Sequence, residues 1–110
     1  MKIRVWLSYD LNVKGDYENL YTWLDVYNAK ECGDSMATFF WESETIENIK
    51  TEILSSLKAN ITFSKKDRVY LVFKKEDETY AGAFIIGSRK ASPWEGYSQE
   101  QISDDEEYIS

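Results

Sequence analysis

The sequence contains no histidine, one cysteine and one proline. The absence of histidine excludes the commonest zinc and iron sites and a serine–histidine–aspartate triad. The single Cys32 has no partner for an intramolecular disulfide, and its position in a predicted strand favours a small buried thiol over a nucleophile. No apolar run approaches the roughly 20 residues that a bilayer crossing needs. These absences predict a cytoplasmic protein that is not an integral membrane protein.

Basic side chains are fewer than acidic ones, with 13 lysines and arginines against 20 aspartates and glutamates. Much of the excess falls in the last eleven residues, at Glu100, Asp104, Asp105, Glu106 and Glu107. Residues 1–99 carry 15 acidic and 13 basic side chains, so this part of the chain is close to neutral. The balance argues against a large basic field for phosphates, and the basic cluster at 65–68 is typical of a solvated turn.

The 110 residues fit one domain with a single core. Apolar and polar residues alternate over residues 2–9, which is typical of a strand. Two later segments have apolar residues at steps of three and four, which indicates amphipathic helices, and Asp16 and Ser43 stand where their N-caps belong. Gly33-Asp34 predicts a two-residue hairpin turn. The predicted elements are strand 2–9, helix 17–27, strands 29–32 and 35–41, helix 46–60, and strands 68–74 and 79–86.

This order of elements predicts an α+β fold of the ferredoxin-like βαββαβ kind with an additional C-terminal strand. Each crossover of such a unit places its helix on the same side, so two helices cover one face of an antiparallel sheet. The domain is predicted to span residues 1–87. Residues 88–110 are polar and acidic and are predicted to form a flexible tail, unless Trp94 and Tyr97 dock on the domain.

The second face of this sheet is also rich in apolar residues, although the helices can cover only the first. Trp6 lies opposite the buried positions of its strand, and Tyr70 and Val72 do the same on the fourth strand. A second copy of the chain is one way to cover such a face. We therefore predict a homodimer with Trp6, Ser8, Tyr70 and Val72 at its interface. The alternatives are scattered surface aromatics or cover by the tail.

Asp10 closes the first strand on the same face as Trp6 and Ser8. Across a two-fold axis, two such carboxylates could approach each other and bind Mg²⁺, which could activate water against a phosphodiester. The alternative is that Asp10 begins a loop by bonding to its own backbone, as aspartate often does.

Several short motifs occur in a characteristic order: Ser8-Tyr9-Asp10-Leu11-Asn12, Asp16-Tyr17-Glu18-Asn19-Leu20-Tyr21, Asp34-Ser35 and Asp67-Arg68-Val69. With them the chain resembles the small SinR-like proteins, relatives of the CRISPR-associated Cas-two and VapD group. The resemblance implies a ferredoxin-like homodimer. For the nuclease branch it implies metal-dependent cleavage of RNA or DNA through Asp10, with Ser35 as the polar residue that opens the facing strand.

Three functional hypotheses follow from the sequence. The first is a homodimeric binding or scaffold protein without catalytic activity. The second is a Mg²⁺-dependent endonuclease acting on RNA or DNA, with Asp10 as metal ligand and with Ser35 as the further catalytic residue that the resemblance implies. The third is an acidic protein that contacts a basic partner through residues 98–110.

Overall fold

The computed structural model describes residues 1–98, which form a mixed α+β domain with two helices and a five-stranded antiparallel sheet. All predicted strands and helices are present in the predicted chain order. The strands run in the spatial order β2-β3-β1-β4-β5. Their bounds are β1 Lys2–Asp10, β2 Lys30–Gly33, β3 Met36–Glu42, β4 Arg68–Lys74 and β5 Tyr80–Ile86, and the helices are α1 Tyr17–Val26 and α2 Ile49–Asn60.

β1 is the central strand and pairs antiparallel with both β3 and β4. Successive side chains of a strand point to opposite faces. Ile3, Val5 and Leu7 are therefore buried beneath the helices, whereas the residues between them face the other way. The alternation seen in the sequence of this strand is confirmed.

Both helices pack on the same face of the sheet. The ring of Trp23 on α1 lies edge-to-face with Phe39 of β3, 5.4 Å between centroids. The Trp23 indole N–H donates to Ser56 Oγ on α2 at 2.9 Å, and the Trp41 indole N–H donates to Glu52 Oε1 at 3.0 Å. Neither helix within residues 1–98 is long and apolar enough to span a membrane. The buried apolar residues are Ile3, Val5, Leu7, Leu11, Leu20, Trp23, Leu24, Ala37, Phe39, Trp41, Ile49, Ile53, Leu57, Ile61, Val69, Leu71, Phe73 and Ile86.

Asp16 caps α1, as its position in the sequence predicts. Its carboxylate accepts the backbone N–H of Asn19 at 3.4 Å and that of Thr62 at 2.9 Å. The second bond ties the start of α1 to the loop that follows α2. These donors, the N–H of Thr62 first, hold the pKa of Asp16 below its ordinary value of 3.8 because they stabilise the ionised carboxylate.

The prediction that Ser43 caps the second helix is wrong. The chain first makes a 3₁₀ turn at Ile46–Asn48, and α2 begins only at Ile49. The Ser43 hydroxyl is buried and donates to the carbonyl of Thr45 at 2.7 Å. Its backbone N–H is bonded to the carbonyl of Met1, so this serine closes the end of the sheet instead of starting a helix.

The β2–β3 hairpin differs from the prediction in two ways. Gly33 pairs with Met36 after an irregularity in register, so the turn consists of Asp34 and Ser35, one residue later than predicted. Ser35 adopts a left-handed φ of 58° within this turn and does not open β3. Cys32 is exposed and not buried as predicted, because β2 is an edge strand whose four residues are all exposed.

The predicted tail is described only as far as residue 98. Trp94 and Tyr97 are 72% and 58% exposed and do not dock on the domain. The prediction for residues 99–110 lies outside the described residues.

Candidate functional site

The face of the sheet that the helices leave uncovered is named the open face. Several of its large side chains are exposed, with Phe40 at 49% and Tyr80 at 57%, while Trp6, Tyr70 and Val72 are half-buried by their neighbours on the sheet. The register places on this face Arg4, Trp6, Ser8 and Asp10 from β1, Met36, Thr38 and Phe40 from β3, Arg68, Tyr70, Val72 and Lys74 from β4, and Tyr80, Gly82 and Phe84 from β5.

At one end of the open face, an arginine lies on an aromatic ring. The guanidinium carbon of Arg4 is 4.0 Å from the centroid of Phe40, its cross-strand partner, and Arg4 Nη1 donates to Thr38 Oγ1 at 3.3 Å. Farther along, the rings of Trp6 and Tyr80 are 5.7 Å apart. A stacked guanidinium keeps its N–H groups at the ring edge, so Arg4 can still donate to a ligand.

At the other end, an open pocket of about 380 Å³ is named here the Arg89 pocket, and it is lined by Ser8, Asp10, Arg68, Tyr70, Phe84 and Arg89. Tyr70 and Phe84 are in edge-to-face contact at 4.8 Å. The guanidinium carbons of Arg68 and Arg89 lie 5.7 and 5.4 Å from the Phe84 centroid. Two cations and two aromatic rings therefore converge on one cavity.

Asp10 lies in this pocket and is paired with a cation. The sheet register sets Asp10 opposite Arg68, and Arg68 Nη2 donates to Asp10 Oδ2 at 2.9 Å. The Asp10 side chain is 61% exposed, so the pair contributes at most about 1 kcal/mol to stability. Asp10 therefore bonds across the sheet and not to the backbone of the loop that it begins.

The second predicted site residue, Ser35, lies outside the pocket. It is exposed in the β2–β3 turn, and its carbonyl accepts the N–H of Tyr9 at 2.9 Å. Residues 1–98 contain no group of three acidic or cysteine side chains placed to hold a metal ion. Mg²⁺ requires several oxygen ligands, and the positive charge of Arg68 beside Asp10 opposes a divalent cation. The residues of one copy therefore do not fit Mg²⁺.

The fold separates charges that the composition leaves mixed. Six cations lie on or beside the open face: Lys2, Arg4, Lys30, Arg68, Lys74 and Arg89. The neighbouring carboxylates are already paired, Asp10 with Arg68, Glu42 with the N-terminal amine and Glu78 with Lys74. Within the described residues Lys2, Arg4 and Arg89 form no ion pair. The open face thus carries unpaired positive charge on a chain whose net charge is −7.

Asp67 positions the end of the sheet at which Asp10 and Arg68 lie. The prediction of a solvated turn at 65–68 is wrong for Asp67. Lys65 and Lys66 are exposed, but Asp67 is only 1% exposed. Its carboxylate accepts the N–H of Asn12 and that of Ser64, both at 2.7 Å. Asp67 thereby anchors the loop after Asp10 to the start of β4.

Sequence reasoning did not identify Arg4, Phe84 and Arg89 as site residues. The period-two pattern of β5 indicates that Tyr80, Gly82 and Phe84 share a face. It does not indicate what that face meets, because the position of β5 beside β4 and the helix-free side of the sheet are set by tertiary structure. Arg89 follows the last strand, and no local signal relates it to the sheet.

Comparison of the chain with protein-family models, with curated proteins and with solved structures gives no match. The relation to the SinR-like proteins stays a prediction, and the functional argument depends on the geometry of the open face.

Proposed function

We propose that this chain is a ferredoxin-like binding protein that holds single-stranded nucleic acid on the open face of its sheet. The strand order β2-β3-β1-β4, with β5 beside β4, supports the ferredoxin-like assignment. The observation that carries the function is the combination of unpaired cations and aromatic rings on one uncovered face, with Arg4 on Phe40 and Arg89 beside Phe84.

Single-stranded nucleic acid matches both components of this surface. Its phosphates pair with lysine and arginine, and its unpaired bases stack on aromatic side chains and on guanidinium planes. A double helix hides the faces of its bases, and an acidic peptide offers charge without planar rings. The rings of Trp6, Tyr70 and Tyr80 on the same face as these cations therefore favour a single strand.

The length of the open face suits a short segment of nucleic acid. Arg4 and Asp10 are six residues apart on β1, which at about 3.3 Å per residue is roughly 20 Å. Sheets of this size that carry aromatic residues stack two or three bases. We expect a binding site of a few nucleotides.

The test is a fluorescence anisotropy titration with labelled 12-nucleotide RNA and DNA at several salt concentrations. Replacing Tyr80 by alanine removes one stacking ring, worth about 1–3 kcal/mol, and should weaken binding roughly 5- to 150-fold. Tyr21→Ala is a matched control, because Tyr21 is 54% exposed but lies on α1. Affinity should fall with salt, and Arg4→Gln should reduce the slope of log K against log salt by about 0.7. Equal affinities for the Tyr80 and Tyr21 variants would refute the proposal.

A homodimer through the same face is the second candidate. Trp6 and Val72 are cross-strand partners in the middle of the face, and no charged side chain stands between them. In this arrangement Trp6, Ser8, Tyr70 and Val72 form the interface. Sedimentation of the wild type would then give twice the chain mass of 12.9 kDa, and Val72→Lys would give 12.9 kDa. This pair of results would favour the homodimer over the nucleic-acid proposal.

The nuclease and acidic-protein hypotheses remain proposals with less support. A Mg²⁺ site would need Asp10 from a second copy, and cleavage of RNA or DNA that Asp10→Ala abolishes would establish it. A basic partner bound through residues 98–110 would be lost on deletion of that segment and weakened by salt.

A further inference from the structure

We propose that the Arg89 pocket is a subsite for one nucleoside monophosphate, with the phosphate on Arg89 and the base against Phe84. The inference rests on the proposed function because the pocket is one end of the open face. It also makes a separate claim, since a single free nucleotide should bind there. The cavity of about 380 Å³ falls in the range of small-ligand sites, roughly 300–1,000 Å³.

Arg89 is the cation best placed for the phosphate. Arg68 already donates to Asp10, whereas Arg89 forms no ion pair within residues 1–98. Its guanidinium carbon is 5.4 Å from the Phe84 centroid and 5.9 Å from that of Tyr70. A guanidinium presents a planar fork of N–H donors that matches two phosphate oxygens. The rings hold this fork beside the cavity without using its donors.

Asp10 sets the orientation of the ligand. Its negative charge repels a phosphate, which directs that group to the Arg89 side of the cavity. Among the described residues only Arg68 donates to the Asp10 carboxylate, and it does so at Oδ2. The other oxygen can accept from a ribose hydroxyl or from an exocyclic amino group of a base. Ser8, which also lines the cavity, adds a hydroxyl that can donate or accept.

Phe84 supplies the stacking surface. Tyr70 meets Phe84 edge-to-face, so the two rings form a corner and not a closed stack. Tyr70 can take this position because its ring lies diagonally over Gly82, the cross-strand partner of Val72, and Gly82 has no side chain to displace the ring. A base that enters the corner contacts both rings while its phosphate reaches Arg89.

The test is a titration of the full chain by NMR and calorimetry with free cytidine, cytidine monophosphate and inorganic phosphate. Cytidine monophosphate should bind at least about tenfold more tightly than either other probe, because it alone uses both the cation and the ring. Arg89→Gln should weaken its binding roughly tenfold or more, since a charged hydrogen bond is lost. The matched control is Lys90→Gln, which removes the same charge at an exposed neighbour outside the pocket and should change the affinity less than twofold.

A second pair of probes separates the sources of the nucleotide. If a strand end occupies the pocket, a hexanucleotide with a 5′ phosphate should bind with a different affinity from one with a 5′ hydroxyl. The difference should vanish in Arg89→Gln. Equal binding of the two hexanucleotides, together with binding of the free monophosphate, assigns the pocket to the free nucleotide.

The outcomes distinguish this inference from the proposed function. If oligonucleotides bind through Tyr80 but the monophosphate leaves the Phe84 and Tyr70 resonances unchanged, the pocket assignment is wrong and the open-face proposal stands. If Arg89→Gln weakens monophosphate binding but Tyr80→Ala leaves the oligonucleotide affinity unchanged, the open-face proposal is wrong and the pocket assignment stands. Equal monophosphate affinities of Arg89→Gln and Lys90→Gln would overturn the pocket assignment.

Discussion

The Tyr70 ring lies across Gly82 on the neighbouring strand. A Cβ at position 82 would stand 2.5 Å from the Tyr70 hydroxyl oxygen and 2.9 Å from Cε2, closer than carbon atoms tolerate. Glycine inside a strand lowers its stability, and it often marks a place where another group approaches closely. Here the approaching group is the ring that forms one wall of the Arg89 pocket.

Gly82→Ala should displace the Tyr70 ring without unfolding the domain. Alanine in a strand gains about 0.5–1 kcal/mol over glycine in backbone entropy, and displacement of a flexible ring offsets this gain. In a Tyr70→Ala background the same substitution should stabilise the domain by that full amount. Urea unfolding of the four variants measures the coupling. An identical effect of Gly82→Ala in both backgrounds would mean that the ring does not occupy this position.

The stability that Asp16 provides should depend on pH. Its pKa is lowered in the folded domain, so its contribution is present at pH values above the unfolded pKa of about 3.8 and is lost as the pH falls through the lower folded value. Asp16→Ala should therefore destabilise the domain at pH 7 and have less effect near pH 2.5. Asp25→Ala, an exposed change at the other end of α1, is the control. A pH-independent difference between wild type and Asp16→Ala would contradict the assignment.

Asp67→Asn should lower the free energy of unfolding by about 1–3 kcal/mol, because the amide cannot accept both buried backbone N–H groups. Asp25→Asn at an exposed position should change it by less than about 0.5 kcal/mol. Urea denaturation at pH 7 compares the two. A loss below about 0.5 kcal/mol for Asp67→Asn would show that the two loops do not depend on this carboxylate.

Asp10→Asn should leave stability within about 1 kcal/mol of the wild type, since the pair with Arg68 is largely exposed. It removes a negative charge from the open face, so oligonucleotide binding at low salt should become tighter. The nuclease hypothesis predicts a different result, namely loss of Mg²⁺-dependent cleavage. Anisotropy and a cleavage assay on the same protein distinguish the two, and weaker binding by Asp10→Asn would count against the open-face proposal.

Local features of the fold were predictable from local patterns. The alternation along β1 and the stripe of α2 follow from the geometry of strands and helices, and the cap at Asp16 needs only a nearby N–H. Ser43 has the same local signature but is used elsewhere, because the Met1 carbonyl and the carbonyl of Thr45 already engage it. A local bond of the hydroxyl to Thr45 and a backbone bond to the sequence-distant Met1 decided that case.

The candidate site was predictable in part. The parity of β1 places Asp10 on the same face as Trp6, but its partner Arg68 depends on the β1–β4 register. Ser35 was assigned to the start of a strand and lies in a turn, since a register shift in the β2–β3 hairpin moves the turn by one residue. Such shifts leave no mark on the hydrophobic pattern.

By itself the sequence determined which segments form strands and helices and which residues of each strand share a face, because both depend on the spacing of apolar residues along the chain. Only the tertiary structure decided which faces meet. Strand pairing brought residues more than 60 positions apart, such as Asp10 and Phe84, into one pocket and collected cations on one side of an acidic chain. A count of charges cannot reveal that separation, since it arises from the order and register of the strands.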